Sequence, residues 1–167
     1  MNKFIILISL ILISKQLYCQ DTITSLDLIY KFTESNKKAF NSKTNKLYSG
    51  FLVEYNKEKI ILLCYYFEGE LKESKEFYSN GILFRIKHYQ KSGIENGEYK
   101  EWDENGKIKI EGKFLDGERN GYWSYFNDGI ISTIGTYENN VKVGIWKYFD
   151  KSHKLIKKEF YINGILQ

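Results

Sequence analysis

The 167-residue chain contains no proline, only two cysteines and only two histidines, so several kinds of chemistry lack the side chains that they need. The second cysteine, Cys19, lies near the N-terminus, which leaves Cys64 without a partner for an internal disulfide. A nucleophile pair would have to join Cys64 to His88 or His153. These residues also lack the spacing of metal ligands, and the acid-rich turns lack the ligand series of a calcium loop. We therefore expect no catalytic residue, no cofactor and no metal site.

Long runs of one charge are also missing. The 25 basic and 21 acidic residues are interspersed, which indicates a solvated surface and predicts no nucleic-acid partner. A membrane-spanning helix needs about 20 apolar residues, and the apolar run at residues 4–13 is far shorter and is interrupted by Ser9. Lys3 precedes this run and polar residues follow it. This order is typical of a secretory signal peptide.

We expect cleavage after Cys19, which makes residues 1–19 the signal peptide and predicts an exported protein in the periplasm, on the cell surface or in the medium. Loss of Lys3 and Lys15 lowers the net charge from +4 to +2. The alternative is a lipoprotein with its lipid on Cys19. Tyr18 argues against lipidation, because the residue before a lipidated cysteine is usually small. No transmembrane segment is expected after cleavage.

Aromatic residues make up 17% of the chain and recur at a fixed spacing. Gly97, Gly121 and Gly144 each begin a similar segment, and the three lie 24 and 23 residues apart. A first aromatic residue follows each glycine by two positions and a second one follows by five, giving the columns Tyr99, Trp123 and Trp146 and then Trp102, Phe126 and Phe149. A weaker form of the pattern continues upstream. We divide residues 50–167 into five units, near 50–73, 74–96, 97–120, 121–143 and 144–167.

Each unit contains two turn signals that separate two short strands. The first turn is Asn80-Gly81, Asn105-Gly106, Asp128-Gly129 or Ser152-His153, and the glycine dipeptides predict type I′ hairpin turns. The second turn is Glu68-Gly69, Ser92-Gly93, Asp116-Gly117, Asn139-Asn140 or Asn163-Gly164. The fold class is therefore all-β, with tandem antiparallel hairpins that form a meander or solenoid. Residues 20–49 are expected to form an N-terminal capping segment, with a strand around Leu28 and a second near Ala39.

The aromatic columns have two interpretations. Alternation along a strand places Trp123 and Tyr125 on one face and Phe126 on the other, so both faces carry aromatic side chains. We favour the structural interpretation, in which the first column packs between units as the core. The alternative is a ladder of exposed rings that stacks on sugars. Cys64 is expected to be a small core residue, because Gly112 and Gly135 occupy its column in later units.

The segments headed by Gly121 and Gly144, with the pattern G-x-W-x-x-F and a following turn, resemble the MORN repeat in its bacterial variant. The similarity extends over residues 47–167 and is greatest to the YwqK-like family, whose members are often labelled as antitoxins. The resemblance implies a β-hairpin array that acts in protein or surface interactions, with no catalytic residues to transfer.

The sequence thus predicts a non-enzymatic protein-interaction module. Two alternatives stay open, a carbohydrate or cell-wall binder that uses the aromatic ladder and an antitoxin-like partner of a toxin. The partner surface is expected on positions that vary between units, namely Lys107, Lys109, Arg119 and Ser132 with Thr133. A monomer and a homodimer are both open, because the last hairpin could pair with a second copy at its edge.

Overall fold

The computed structural model describes residues 21–23, 28–32, 37–91 and 93–167. These residues form fifteen β-strands and no helix. The strands are β1 Asp21–Ile23, β2 Leu28–Phe32, β3 Lys37–Asn41, β4 Gly50–Asn56, β5 Lys59–Phe67, β6 Glu70–Phe77, β7 Leu83–Tyr89, β8 Glu95–Trp102, β9 Ile108–Leu115, β10 Glu118–Arg119, β11 Gly121–Asn127, β12 Ile130–Glu138, β13 Val141–Phe149, β14 Leu155–Ile162 and β15 Ile165–Leu166. The predicted signal peptide, including Cys19, lies outside the described residues.

Most strands belong to one sheet, which confirms the predicted all-β meander. From β4 onward each long strand pairs antiparallel with the next, through β9, β11 and β14, and the two-residue strand β10 pairs with β9. β1 departs from this pattern because it pairs parallel to β4. Within the described part of the chain, the strands at the two ends of the order, β1 and β15, do not pair with each other. The sheet is therefore open.

A register shift recurs at the same place in every unit. In each unit it lies in the strand pair joined by the first turn, just before the second aromatic position. The five sites are Glu54/Tyr55, Glu76/Phe77, Glu101/Trp102, Tyr125/Phe126 and Tyr148/Phe149. An extra residue on one strand of an antiparallel pair bends that strand and increases its twist. The five units therefore contain the same local bend at the same position of the repeat.

Two of the first turns differ from the expected type. Asp128 and Gly129 both have positive φ, as a type I′ turn requires, but at Asn80-Gly81 and Asn105-Gly106 only the glycine does. In the third unit the Asp103 carboxylate accepts the main-chain N–H groups of Asn105 and Lys107, at 2.9 Å each. This side chain stabilises a longer turn, in which glycine supplies the one left-handed residue. Type I′ turns at these two dipeptides were thus a wrong prediction.

The second turns connect successive units through the main chain. The N–H of Gly69 donates to the Tyr48 carbonyl at 2.7 Å. An equivalent bond recurs two units later, from Gly117 to Glu95, and then in each following unit, from Asn140 to Arg119 and from Gly164 to Lys142, at 2.8 to 3.0 Å. These four second turns are therefore each bonded to the main chain about one repeat earlier in the sequence.

Among the described residues, most of the buried apolar side chains form two clusters. At the N-terminal end, β2 and β3 pair as a hairpin and contribute Leu28 and Ala39, which pack with Tyr48, Leu52, Cys64 and Tyr66. The second cluster contains Tyr99, Trp123, Tyr137 and Trp146. The β2–β3 hairpin lies inside the segment predicted to cap the array, and its main chain bonds to the first unit through Ala39 N–H and Gly69 O at 2.8 Å.

Candidate interaction surface

The two faces of the sheet differ in chemistry. We call the face that carries Trp123, Tyr125, Trp146 and Tyr148 the Trp face, because alternate residues of a strand share a face. The other face is the Tyr122 face. The two buried tryptophans, 3% and 1% exposed, lie on the Trp face, whereas Tyr122 is 83% exposed. In the last two units the Trp face is therefore buried, whereas the Tyr122 face exposes Tyr122 to solvent.

Glycines make room for the tryptophans of the Trp face. Gly135 lies opposite Trp123 in the β11–β12 pair, and a Cβ added to it would overlap the ring of Trp146. Gly112 has the same relation to the ring of Trp123. Each indole N–H also donates to a main-chain carbonyl of the preceding strand, from Trp123 to Lys113 and from Trp146 to Thr136, at 3.2 Å. The ring of one unit thus packs directly on the backbone of the unit before it.

The first aromatic column is continuous across units. The rings of Tyr99 and Trp123 stack with centroids 5.8 Å apart, and Tyr137 fits edge-on between Trp123 and Trp146, at 6.0 and 4.9 Å. The second column has a different environment. Phe126 pairs with Ile131, Trp102 with Ile108 and Phe149 with Leu155, and all three aromatic residues are half-buried near the first turns.

Cations and hydroxyl groups cover the aromatic rings of the Trp face. The Arg119 guanidinium lies 4.2 Å from the centroid of the Tyr137 ring and donates to its hydroxyl at 3.0 Å. Lys142 takes the same place one unit later, 4.2 Å over Trp146. Burial, together with the hydrogen bond to Tyr137, raises the pKa of Tyr125. The raised pKa keeps the Tyr125 phenol neutral at ordinary pH, while the cations lie over the faces of the neighbouring rings.

The Trp face ends in a cluster around Glu159. The hydroxyls of Tyr148 and Tyr161 donate to Glu159 Oε2 at 2.5 and 2.8 Å, and Lys157 Nζ lies 2.8 Å from Oε1. The Lys157 ammonium contributes most, followed by the two hydroxyls, and together they lower the pKa of Glu159 to about 2. The carboxylate is therefore held in its charged form by groups of its own unit.

The residues considered for nucleophilic chemistry are not brought together. Cys64 is buried on the Trp face, where burial raises the pKa of its thiol to about 12. His88 is paired with Glu73 on the Tyr122 face, and its Nε2 lies 3.3 Å from Glu73 Oε2. His153 lies in the first turn of the fifth unit, and its ring stacks on Phe149 with the ring centroids 5.2 Å apart. A neutral, enclosed thiol on one face cannot form a pair with a ring on the other.

The predicted partner positions are engaged within the chain. Lys107 Nζ lies 2.8 Å from Asp128 Oδ1, and Lys109 Nζ lies 3.5 Å from Glu101 Oε1. Arg119 contacts Tyr137, and the Ser132 hydroxyl donates to the Tyr125 carbonyl at 3.1 Å. The contacts of Lys107 and Arg119 join neighbouring units, and those of Lys109 and Ser132 lie within one unit. Thr133 lies between Tyr125 and Tyr148 in the pairing of strands, which places it among the aromatic side chains.

Several exposed apolar side chains lie on the Tyr122 face of the last units. Besides Tyr122 they include Ile145, 55% exposed, and Phe160, 48% exposed, which lie opposite each other in the β13–β14 pair. Val141 and Ile162 extend this group toward the second turns. Exposed apolar side chains that adjoin one another are typical of a contact surface. A sequence signal for two of these residues existed, because Tyr122 and Ile145 are the variable position of the G-x-W heads.

Comparison with known proteins agrees with this hairpin geometry. Two of the hairpins match the MORN repeat variant. The matched residues, 71–91 and 95–116, contain β6 with β7 and β8 with β9, so each MORN repeat is one hairpin of the array. No curated protein matches the chain in sequence. MORN repeats are generally protein- or membrane-interaction modules without catalytic activity, and nothing in these matches supports membership in an antitoxin family.

Proposed function

We propose that this chain is an exported, non-enzymatic interaction module that binds another protein through the Tyr122 face of its last two units. The observation that carries the proposal is the exposure of Tyr122, Ile145 and Phe160 on a face whose reverse side holds the buried tryptophans. Tyrosine is enriched among the residues that dominate binding energy at protein interfaces. The rigid Trp face behind these residues holds them in place before a partner arrives.

The binding function can be tested by affinity capture from the host's envelope fraction. We expect Tyr122→Ala to lose the captured protein, and Tyr55→Ala, which truncates an exposed tyrosine of the first unit, to retain it. Purified partner would then give the loss in affinity, which we expect to be at least about tenfold for an interface anchor. Equal capture by both variants, or no specific capture by the wild type, would exclude this surface.

The export component rests on the signal-like order of residues 1–19. Its test is fractionation of the natural host followed by an intact mass of the mature protein. A mass that begins at Gln20, from periplasm or medium, is expected. Lipid on Cys19 would place the protein on a membrane surface, and an uncleaved chain in the cytosol would contradict export.

The carbohydrate alternative loses its main support. Trp123 and Trp146 are buried against glycine backbones, so their ring faces are occupied and cannot stack on a sugar. The antitoxin alternative is still a prediction from the resemblance alone. It requires a toxin gene beside this one and a toxin that reaches the same compartment.

A further inference from the structure

Strand β14 has an edge that β15 covers only in part. β15 pairs with Tyr161 and Ile162, and the Gln167 N–H donates to the Phe160 carbonyl at 2.9 Å. Because main-chain groups of alternate residues point to the same side of a strand, the N–H and C=O of Lys158 also point toward this edge. No described strand lies beside residues 155–159 on that side. This part of β14 therefore offers unpaired main-chain groups to an incoming strand.

The charges beside this edge are not balanced. On the Tyr122 face of the third unit, opposite positions carry opposite charges, as in the pairs Lys100 with Glu111 and Glu98 with Lys113. In the β13–β14 pair, Lys147 lies opposite Lys158. Among the described residues neither of these two lysines forms an ion pair. Like charges directly opposite each other destabilise a sheet, and a carboxylate placed beside them would remove the repulsion.

Exposed apolar side chains flank the two lysines. Ile156 is 66% exposed and Phe160 is 48% exposed, one on each side of Lys158 along β14. Strand addition gains affinity from main-chain hydrogen bonds and specificity from such alternate side chains. The edge therefore combines the three elements of a strand-binding site: free main-chain groups, uncompensated positive charge and apolar contact area.

Two other occupants fit this edge poorly. A further repeat unit would place its tryptophan ring over the column of Gly112 and Gly135, which requires a glycine on the strand beneath the ring. β14 has Glu159 in this column instead, opposite Trp146. A second copy of β14 would bring its own Lys157 and Lys158 against those of the first. Lysines at a sheet edge are a common means of preventing such self-pairing.

We propose that the β14 edge binds an extended acidic segment of a partner protein by strand addition, with carboxylates that approach Lys147 and Lys158 and apolar side chains that contact Ile156 and Phe160. This inference rests on the proposed interaction function, and it adds the chemistry of the partner. The partner's strand pairs with residues 155–159 of β14, beside the part of the edge that β15 already covers.

The test uses the full mature chain and a short capped peptide in which glutamate and valine alternate. We expect the peptide to bind, to shift the Lys158 amide resonance and to slow its hydrogen exchange. The matched peptide with lysine in place of glutamate should bind at least about tenfold more weakly. The double variant Lys147→Glu/Lys158→Glu should reverse this preference. Its control, Lys46→Glu/Lys57→Glu, makes the same change in net charge at exposed sites near the other end and should keep the wild-type preference.

Several results would overturn the proposal. These are equal binding of the two peptides, peptide binding without a change at the Lys158 amide, or a dimer in solution that protects this amide without any peptide. Anionic phospholipid vesicles that displace the peptide from Lys158 would also overturn it, because they would identify a lipid-binding face instead. If the peptide fails while Tyr122→Ala still abolishes capture of a partner, strand addition is wrong and the interaction function stands. If neither Tyr122 nor β14 variants affect any binding, both proposals fail.

Discussion

Gly135 shows how a single residue controls the contact between units. A Cβ at this position would overlap the ring of Trp146, and the ring is held on its other edges by Tyr137 and by the bond to Thr136. We expect Gly135→Ala to lower the free energy of unfolding by about 1–3 kcal/mol, the usual cost of overpacking. Urea unfolding would measure it. In a Trp146→Leu background the same change should cost much less, and equal costs in both backgrounds would contradict the packing explanation.

Glu159 should make stability depend on pH at the acid end. Its pKa is lowered to about 2 in the folded chain, compared with about 4.3 in the unfolded chain. A lowered pKa in the folded state contributes stability that is present above the unfolded value and is lost as pH falls toward 2. We expect Glu159→Gln to lower the melting temperature at pH 6 and to have little effect near pH 2. The exposed turn variant Glu58→Gln serves as control. A constant difference across this range would refute the prediction.

Cys64 should be inert in the native protein. Burial raises the pKa of its thiol to about 12, and alkylation requires an accessible thiolate. We expect no modification of Cys64 by iodoacetamide at pH 8 until urea unfolds the chain, followed by an adduct on Cys64 located by peptide mass spectrometry. Rapid labelling under native conditions would mean that the first core cluster opens locally.

At the scale of the element, the turn at residues 103–107 depends on one side chain. The Asp103 carboxylate accepts hydrogen bonds from the main-chain N–H groups of Asn105 and Lys107. Asp103→Ala should lower the free energy of unfolding by about 1 kcal/mol. Glu104→Ala, at the exposed neighbouring position, should change it by much less. Equal effects of the two variants would show that the carboxylate does not stabilise the turn.

The strand pattern of the chain was well predicted at this scale, but two of the three predicted type I′ turns, at Asn80-Gly81 and Asn105-Gly106, were wrong. Glycine spacing and aromatic columns located the hairpins of the last three units, because strand alternation and positive φ leave local traces in a sequence. The types of turn at Asn80 and Asn105 depend on side-chain bonds to nearby N–H groups, which dipeptide preferences ignore. The five repeated register shifts left no local sequence signal that we recognised.

At the scale of the whole molecule, a destabilising substitution in one core cluster should leave the other cluster folded. Each unit contacts chiefly its neighbours, so the sheet behaves as a nearly one-dimensional array. Ala39→Asp places a charge in the N-terminal cluster, where Ala39 is 1% exposed. We expect faster hydrogen exchange in β4 and β5 and unchanged fluorescence of Trp123 and Trp146. Lys46→Asp is the exposed control. Loss of both signals together would indicate a single cooperative unit.

The sequence alone determined the all-β class, the repeat and its period, because these depend on local alternation and on turn residues that recur along the chain. It did not determine which face of the sheet is buried. Burial of the Trp face depends on glycines of one unit lying beneath rings of the next, and the charge imbalance at β14 depends on Lys147 lying opposite Lys158. Both are consequences of register between strands. Register is set by pairing across the sheet, and only the tertiary structure decides which residues meet there.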